Sequence, residues 1–239
     1  MPAWSYTEIM PLLRIRQDIE GEDMRILLIG NSYTYYNDMP KMLEALARAN
    51  GVDAKFDAVT KGGARLIGML DENSTEGIKI RELIGKGKYD ILVLQEQSHT
   101  PITAPDVFLS GAKGMCTLVG ADRTIYYATW GRKDGCSLLD ELKLTSLGMM
   151  MGLEMAYERM AKLTGGELCA VGRAFAALSM EHPELELYNE DMSHPSYLGS
   201  AVSAISLYKT IFGKLPEATG DLDLDDWIIA IIKDIVDGM

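Results

Sequence analysis

The sequence predicts an α/β protein: a three-layer α/β/α sandwich around a parallel sheet of about five strands. Two patterns in the 239 residues predict it. Apolar runs rich in β-branched residues recur along the chain, and amphipathic segments of helical length separate them. Strands and helices that alternate in this way form right-handed βαβ units, which leave the strands parallel and the helices on both faces of the sheet.

The predicted strands are the apolar runs. The first, MRILLIG, ends at a Gly, and the third, YDILVLQ, is apolar enough for the centre of a sheet. The five predicted strands cover residues 24–30, 54–60, 89–95, 123–130 and 167–172. In such sheets ligands bind beyond the carboxyl ends of the strands, so the residues that follow each run are the candidate functional residues.

The predicted helices begin or end at residues that favour helix termini. Pro40 suits a first helical turn, Ser74 an N-terminus and Gly51 a C-terminus. The predicted helices cover residues 39–51, 74–87, 104–120, 146–166 and 194–213. The tail DLDLDDWIIAIIKDIVDGM has an apolar helical face, which we expect to pack on the domain and which could also support a homodimer.

The composition favours a single domain. The chain is 47% hydrophobic, and no Pro-, Ser- or Gly-rich linker, low-complexity tract or repeat divides it. We predict one domain over residues 23–239, with residues 1–22 as an N-terminal extension packed on it. The formal charge of −12 argues against nucleic acid and anionic membrane surfaces as partners.

The cysteines and the N-terminus indicate a compartment. Cys116, Cys136 and Cys169 are odd in number and widely spaced, which favours neither a zinc site nor a disulfide framework and fits a reducing compartment. The N-terminus lacks the basic region of a signal peptide, and no apolar run approaches the ~20 residues that span a bilayer. We therefore expect a soluble, cytoplasmic protein.

A serine follows the first predicted strand, in the segment GNSYT. At a tight strand-to-helix junction Ser32 would expose its hydroxyl at the sheet edge, where backbone N–H groups can point at a developing oxyanion. The same serine could simply cap a helix or a turn. The segment alone favours the structural role, because short motifs match by chance.

Three further strand exits carry candidate residues. Gly62 and Gly63 follow the second strand, and their N–H groups could serve as oxyanion donors or only form a turn. Gln95 and Gln97 lie at the exit of the third strand, in LQEQS, and a side-chain amide can also donate to an oxyanion. His99, beside them, is interpreted as an exposed loop residue. Trp130 and Arg132 lie at the exit of the fourth strand and are predicted to line the pocket.

An Asp-x-x-His pair lies just before the last predicted long helix, in DMSHP. At this spacing the carboxylate of Asp191 can reach Nδ1 of His194 and leave Nε2 free to take a proton from a serine. The alternative is an Asx-turn with a capping histidine, because both residues are common in turns. His182 has no carboxylate three residues earlier and is interpreted as a surface residue.

Together, a serine after the first strand, a glycine after the second, an amide after the third and a late Asp-x-x-His resemble the SGNH (GDSL-type) hydrolase superfamily. IGNSYT is similar to the block that carries the nucleophile, and DMSHP to the block that supplies Asp and His. Two departures stand out. Asn31 replaces the usual Asp of Gly-Asp-Ser, and QEQS replaces Gly-x-Asn-Asp. The same combination resembles a bacterial subgroup of the superfamily, with a flavodoxin-like sheet.

The resemblance implies a serine esterase. Ser32 would be the nucleophile, His194 the general base and acid, and Asp191 the residue that orients His194. The oxyanion hole would consist of the N–H groups of Ser32 and Gly63 and the amide of Gln97, with Gly62 and Gln95 as alternatives. Asn31, Tyr33, Trp130 and Arg132 are the pocket-lining candidates. No metal or organic cofactor is implied, and the substrate would be a small-molecule ester.

Polar strand exits and the lack of a long apolar lid favour a small acyl group, such as acetyl, on a carbohydrate or another polar alcohol. A lipase or thioesterase acting on longer acyl chains is the alternative within the superfamily. Outside it, Asn37, Asp38, Asp191 and His194 could form a metal-dependent hydrolase. A non-catalytic binding module, with GNSYT holding a phosphate at a helix N-terminus, is the third possibility.

Overall fold

Five parallel strands form one sheet in the computed structural model, which describes residues 24–239. The strands are β1 (Met24–Gly30), β2 (Ala54–Thr60), β3 (Ile91–Leu94), β4 (Arg123–Tyr127) and β5 (Glu167–Cys169). Their order across the sheet is β2-β1-β3-β4-β5. The predicted extension over residues 1–22 lies outside the described residues.

The register of the sheet places three strand exits side by side. Gly30 at the end of β1 pairs with Thr60 of β2, and Ile29 pairs with Leu94 of β3. All pairs are parallel, so the segments that leave β1, β2 and β3 meet at one edge of the sheet.

Helices cover both faces of the sheet. They are α1 (Ser32–Tyr35), α2 (Met39–Ala49), α3 (Leu66–Met69), α4 (Thr75–Ile84), α5 (Thr100–Thr103), α6 (Pro105–Val119), α7 (Ser137–Leu142), α8 (Ser146–Thr164), α9 (Val171–Glu181), α10 (Tyr197–Phe212) and α11 (Asp226–Asp237), with a 3-10 turn at Tyr36–Asp38. The three-layer α/β/α prediction is confirmed.

Strand β1 shows why residues 26–29 of its sequence are all apolar. Ile26 and Leu28 face one core, shared with α2, α9, α10 and α11. Leu27 and Ile29 face the other, shared with α3, α4, α6 and α8. Successive side chains of a strand point to opposite faces, so a strand between two helical layers has no position for a polar residue. Burying each such side chain contributes about 1.5–3 kcal/mol.

The end of the sheet differs from the sequence prediction. Strand β4 ends at Tyr127 rather than at residue 130, and β5 ends at Cys169 rather than at residue 172. Helix α9 follows almost at once, although the sequence predicted no helix there. Gly172 allows this close start, because a Cβ at this position would lie 2.4 Å from the carbonyl oxygen of Thr129.

Helix α11 packs on α9 and α10, as the apolar face of the tail predicted. Ile232 and Val236 are buried there, and the Lys209 ammonium binds the carbonyl oxygens of Val236 and Asp237 at 2.7 and 2.9 Å. Between Met24 and Met239, no helix has the length and apolar character needed to cross a bilayer.

Candidate active site

Ser32 lies at the exit of β1 as the first residue of α1. The turn is tight because Gly30 has no side chain: a Cβ there would lie 2.3 Å from Oγ1 of Thr34 and 2.7 Å from Oε1 of Gln95. Oδ1 of Asn31 accepts a hydrogen bond from the N–H of Tyr33 at 3.1 Å and so caps α1. The strand-to-helix junction expected from the sequence is therefore present.

Asn31 also connects the exits of β1, β2 and β3. Its N–H donates to Oε1 of Gln95 at 2.8 Å, and its Nδ2 donates to the carbonyl oxygen of Ala64 at 3.3 Å. Asn31 is almost fully buried. A carboxylate could accept the capping hydrogen bond but could not donate to a carbonyl, so the amide fits this environment better than an aspartate would.

The segment before α10 presents His194 to Ser32. Nε2 of His194 lies 2.8 Å from Oγ of Ser32, and Nδ1 is hydrogen-bonded to the carboxylate of Asp191. Oδ1 of Asp191 also accepts from the N–H groups of Ser193 and His194, at 3.0 and 2.9 Å. The turn is closed by a hydrogen bond from the N–H of Asn189 to the carbonyl oxygen of His194 at 2.8 Å.

The acidity of Asp191 reflects these contacts. Partial burial alone would raise its pKa, but the hydrogen bonds from the His194 side chain and from the two backbone N–H groups outweigh that effect and lower the pKa below its usual value. Asp191 therefore stays ionised near neutral pH. An ionised carboxylate on Nδ1 favours the tautomer whose Nε2 can accept a proton.

Aromatic rings fix the imidazole from two sides. Tyr36 stacks on His194 with ring centroids 4.2 Å apart and planes 10° apart, and Tyr33 meets the same ring edge-on at 5.5 Å. Tyr36 is held by its neighbour Asn37, whose Nδ2 donates to the carbonyl oxygen of Pro195 at 3.1 Å. Asn37 has a left-handed φ of 54°, a conformation that Asn tolerates better than most residues.

Behind these rings lies a buried aromatic stack. Tyr33 stacks on Trp130 at 4.7 Å, and Trp130 stacks on Phe175 at 4.0 Å. Nε1 of Trp130 donates to the carbonyl oxygen of Ser193, and the Tyr33 hydroxyl lies 2.8 Å from Oγ of Ser193. Trp130 is fully buried. It thus supports the backbone of the histidine turn from below, although the sequence suggested that it lines the pocket.

The glycine turn after β2 forms the other side of the candidate site. Gly62 and Gly63 are exposed, and Gly63 has a φ of 65°, which favours glycine. Within the described part of the chain, the N–H groups of Ser32 and Gly63 have no hydrogen-bond acceptor. They are therefore available to an oxygen atom of a ligand. The hydrogen bond from Asn31 to Ala64 keeps this turn next to Ser32.

The two glutamines after β3 make different contacts. Gln95 is buried, with its Oε1 on Asn31 and Thr34 and its Nε2 on the carbonyl oxygen of Glu96. Gln97 is half-buried. Its Oε1 accepts from Thr100, and its Nε2 lies 3.2 Å from Nδ1 of His99. Both side-chain amides thus have protein partners.

His99 differs from its interpretation as an exposed loop residue, because it is half-buried beside Gln97. Burial, followed by the charges of Arg132 and Arg65, lowers the pKa of His99 below its usual value. Arg132 itself donates from Nη2 to Oγ of Ser98 at 2.9 Å. The exits of β3 and β4 are therefore joined by an arginine.

Glu96, between the two glutamines, is a buried carboxyl group. It accepts hydrogen bonds from the N–H groups of Leu66 and Gln97, at 3.2 and 2.7 Å, and so anchors the segment that follows the glycine turn. Desolvation by burial raises its pKa to about 7, although these hydrogen bonds and the charge of Arg65 act in the opposite direction.

The structure can be compared with solved structures. A proposed SGNH hydrolase from Slackia heliotrinireducens is 32% identical to this chain; the match covers 80% of this chain and 100% of that one, with a TM-score of 0.70. The chain belongs to the SGNH hydrolase superfamily. Membership confirms the expectation of an ester-hydrolysing enzyme of this class.

More distant structures agree in fold. A DUF4886 family protein from Bacteroides uniformis is 13% identical, with a TM-score of 0.74 over 91% of this chain and 94% of that one. The psychrotrophic esterase EstA from Pseudoalteromonas sp. is 12% identical, with a TM-score of 0.55 over 80% and 98%. No protein-family model and no curated protein matches the sequence.

The residues considered for a metal centre have other contacts in this SGNH hydrolase. Nδ2 of Asn37 donates to Ser200 and Pro195, and the carboxylate of Asp38 pairs with Lys41. In residues 24–239, no group of three or more His, Cys, Asp or Glu side chains is arranged to hold a metal ion.

Several SGNH site residues were missed from the sequence. Tyr36 and Ser193 were not singled out, and Asn37 was considered only as a metal ligand. Their contacts with the histidine turn connect positions about 160 apart in the chain. The position of Glu96 directly after a buried central strand could have indicated a structural role. A charged residue is seldom buried there without a specific partner.

Proposed function

We propose that this SGNH hydrolase removes small acyl groups, such as acetyl, from a carbohydrate or another polar alcohol through an acyl-enzyme on Ser32. The observation that carries the proposal is the line of hydrogen-bonded atoms from Asp191 through His194 to Oγ of Ser32. A serine hydroxyl is a weak nucleophile until a base removes its proton, and an imidazole oriented by a carboxylate is such a base.

In the first half of the reaction, Oγ of Ser32 attacks the ester carbonyl carbon while Nε2 of His194 takes its proton. The negative oxygen of the tetrahedral intermediate accepts hydrogen bonds from the N–H groups of Ser32 and Gly63. His194 then gives the proton to the leaving alcohol oxygen, and the acyl-enzyme remains.

In the second half, water attacks the acyl carbon and His194 takes the water proton. The same N–H groups bind the second oxyanion, and the proton passes from His194 to Oγ of Ser32. The acid leaves and the serine hydroxyl is restored. Asp191 stays ionised throughout and stabilises the imidazolium. The amide of Gln97 would join the oxyanion hole only by leaving His99.

The decisive experiment is labelling of the purified protein by a fluorophosphonate probe, with Ser32→Ala as the matched variant and EDTA as a parallel arm. We expect labelling of the wild type, none of Ser32→Ala and no effect of EDTA on hydrolysis. Labelling that survives Ser32→Ala, or activity lost in EDTA, would contradict the serine mechanism.

The acyl preference has its own test. We expect hydrolysis of p-nitrophenyl acetate and far slower hydrolysis of p-nitrophenyl palmitate. Equal kcat/KM values for the two esters would favour a lipase or thioesterase with a longer acyl chain.

A further inference from the structure

Arg132 has an unusual environment for a half-buried arginine. Four arginines in residues 24–239 are half-buried: Arg25, Arg81, Arg123 and Arg132. The first three guanidinium groups each reach a backbone carbonyl oxygen or a carboxylate. Arg132 reaches neither among the described residues. Its Nη2 donates to the hydroxyl of Ser98, and its Nε is buried without an acceptor.

This guanidinium lies close to the reacting groups. Its central carbon is 5.6 Å from the centroid of the Tyr33 ring, and that ring meets the imidazole of His194 edge-on. Tyr33 follows Ser32 directly in the chain. Only one aromatic side chain therefore separates Arg132 from His194.

The lack of a carboxylate partner for Arg132 among the described residues has an energetic cost. Removing a cation from water is costly unless an anion or several acceptors replace the lost hydration. The chain has 35 acidic residues and a net charge of −12, yet none of the described carboxylates forms an ion pair with Arg132. Its neighbour Lys133 does have such a partner, Glu186. A planar guanidinium left in this state suits a bound carboxylate, phosphate or sulfate.

A second cation acts on the same edge. Arg65, at the exit of β2, is exposed and forms no ion pair within the described residues. Its charge and that of Arg132 both contribute to the lowered pKa of His99. The exits of β2 and β4 thus each carry an arginine whose charge acts on His99.

We propose that Arg132 binds a negatively charged group of the substrate, so that the preferred ester carries an anion close to the scissile bond. The inference rests on the proposed function and narrows its substrate class to acidic esters. The anion can belong to the alcohol or to the acyl part, and matched substrates distinguish the two.

The test compares kcat/KM within two pairs of esters. Hydrolysis is measured by the proton that it releases. For the alcohol side the pair is 4-acetoxybenzoate and its methyl ester; for the acyl side it is monomethyl glutarate and dimethyl glutarate. The proteins are the wild type, Arg132→Gln, Arg132→Lys and, as a matched control, Lys133→Gln. Each is first checked by fluorophosphonate labelling of Ser32 and by its melting temperature.

We expect the wild type to favour the charged ester of at least one pair by about tenfold or more, the range of a charge-assisted hydrogen bond. Arg132→Gln should remove that ratio, mainly through a higher KM, and Arg132→Lys should keep part of it. Lys133→Gln should leave the ratio unchanged. The preference should fall as salt is added, because counterions screen the charge.

Two outcomes would overturn the proposal. One is a labelled, folded wild type with no preference for the charged ester in either pair. The other is an Arg132→Gln variant that loses activity equally on both members of each pair, which would mean that Arg132 only supports Ser98 and Tyr33. Absence of labelling in the wild type would instead refute the serine mechanism itself.

Discussion

The two sides of the candidate site are built differently. On the base side, His194 is held by Asp191, by the face of Tyr36 and by the edge of Tyr33. On the oxyanion side, the exposed turn at Gly62 and Gly63 contributes only backbone N–H groups, and the nearby glutamine amides have other partners.

The difference follows from what each side must do. In the proposed mechanism a proton moves between two fixed atoms on the base side, so rigid side chains set the distance and angle before substrate binds. In the same mechanism the oxyanion side accepts an oxygen that arrives with the substrate, and N–H groups without protein acceptors can do so. Mutations of side chains on the base side should therefore lower activity. On the oxyanion side the proposed donors are backbone groups, so mutations of the side chains beneath them should mainly lower stability.

The largest effect is expected from the base side. His194→Ala removes the group that takes the serine proton, and we expect kcat/KM to fall on the order of 10⁴-fold with the fold intact. Hydrolysis of p-nitrophenyl acetate measures it. His182→Ala, at a histidine that pairs with Glu184, is the matched control. A His194→Ala variant within tenfold of the wild type would refute the assignment.

A stability effect is expected beneath the oxyanion side, at Glu96. Its pKa is raised to about 7, so the folded state holds the proton more tightly than the unfolded state. Protonation of Glu96 therefore stabilises the folded state. This contribution to stability is fully present below the unfolded-state pKa of about 4.5 and is lost as pH rises through about 7. Glu96→Gln should remove this loss, worth roughly 3 kcal/mol.

Urea unfolding at pH 5 and pH 8 measures that effect. The decline in unfolding free energy between the two pH values should be smaller in Glu96→Gln than in the wild type. Exposed Glu82→Gln is the control and should follow the wild type. An identical decline in all three proteins would show that Glu96 does not titrate in this range.

The glutamines sharpen the comparison further. Gln95→Ala leaves the buried N–H of Asn31 and the hydroxyl of Thr34 without their acceptor, and we expect the free energy of unfolding in urea to fall by about 2 kcal/mol.

Gln97→Ala should change kcat less than about tenfold, because its amide is turned to His99. A loss of 10²–10³ in kcat would instead identify Gln97 as an oxyanion donor.

A modest effect on kcat is expected at Tyr36. Tyr36→Ala removes the ring that stacks on His194, and we expect kcat to fall about tenfold, the upper range for one aromatic pair. Tyr36→Phe keeps the stack and should retain kcat. Equal losses in both variants would mean that the hydroxyl, rather than the ring face, is what matters.

The sequence predicted the fold more completely than the site. The alternation of apolar runs with helical segments predicted a sheet covered on both faces, and the two apolar cores on either side of β1 confirm it. The start of α9 could not be predicted in the same way, because the segment from Leu168 to Gly172 is apolar from strand to helix. Only the approach of Gly172 to Thr129 marks the change.

For the site, the spacing of residues within one segment could be interpreted from the sequence, but contacts between distant segments could not be predicted. Asp191 and His194 are three residues apart, so their pairing could be expected from the sequence. The contacts of the Tyr36 ring, the Asn31 amide and the Arg132 guanidinium depend on segments that meet only in the folded chain. The predicted pocket-lining role of Trp130 illustrates this, because its position in the buried stack depends on Phe175.

The distance along the chain between Ser32 and His194 has a consequence for synthesis. The two residues are 162 positions apart: Ser32 follows the first strand, and His194 follows the last strand and α9. During translation the serine leaves the ribosome early and the histidine only after all five strands have been made. Contacts of such separation form late in folding. Under the proposed mechanism a nascent chain therefore has an unactivated serine, and hydrolysis begins only when the last helices pack on the sheet.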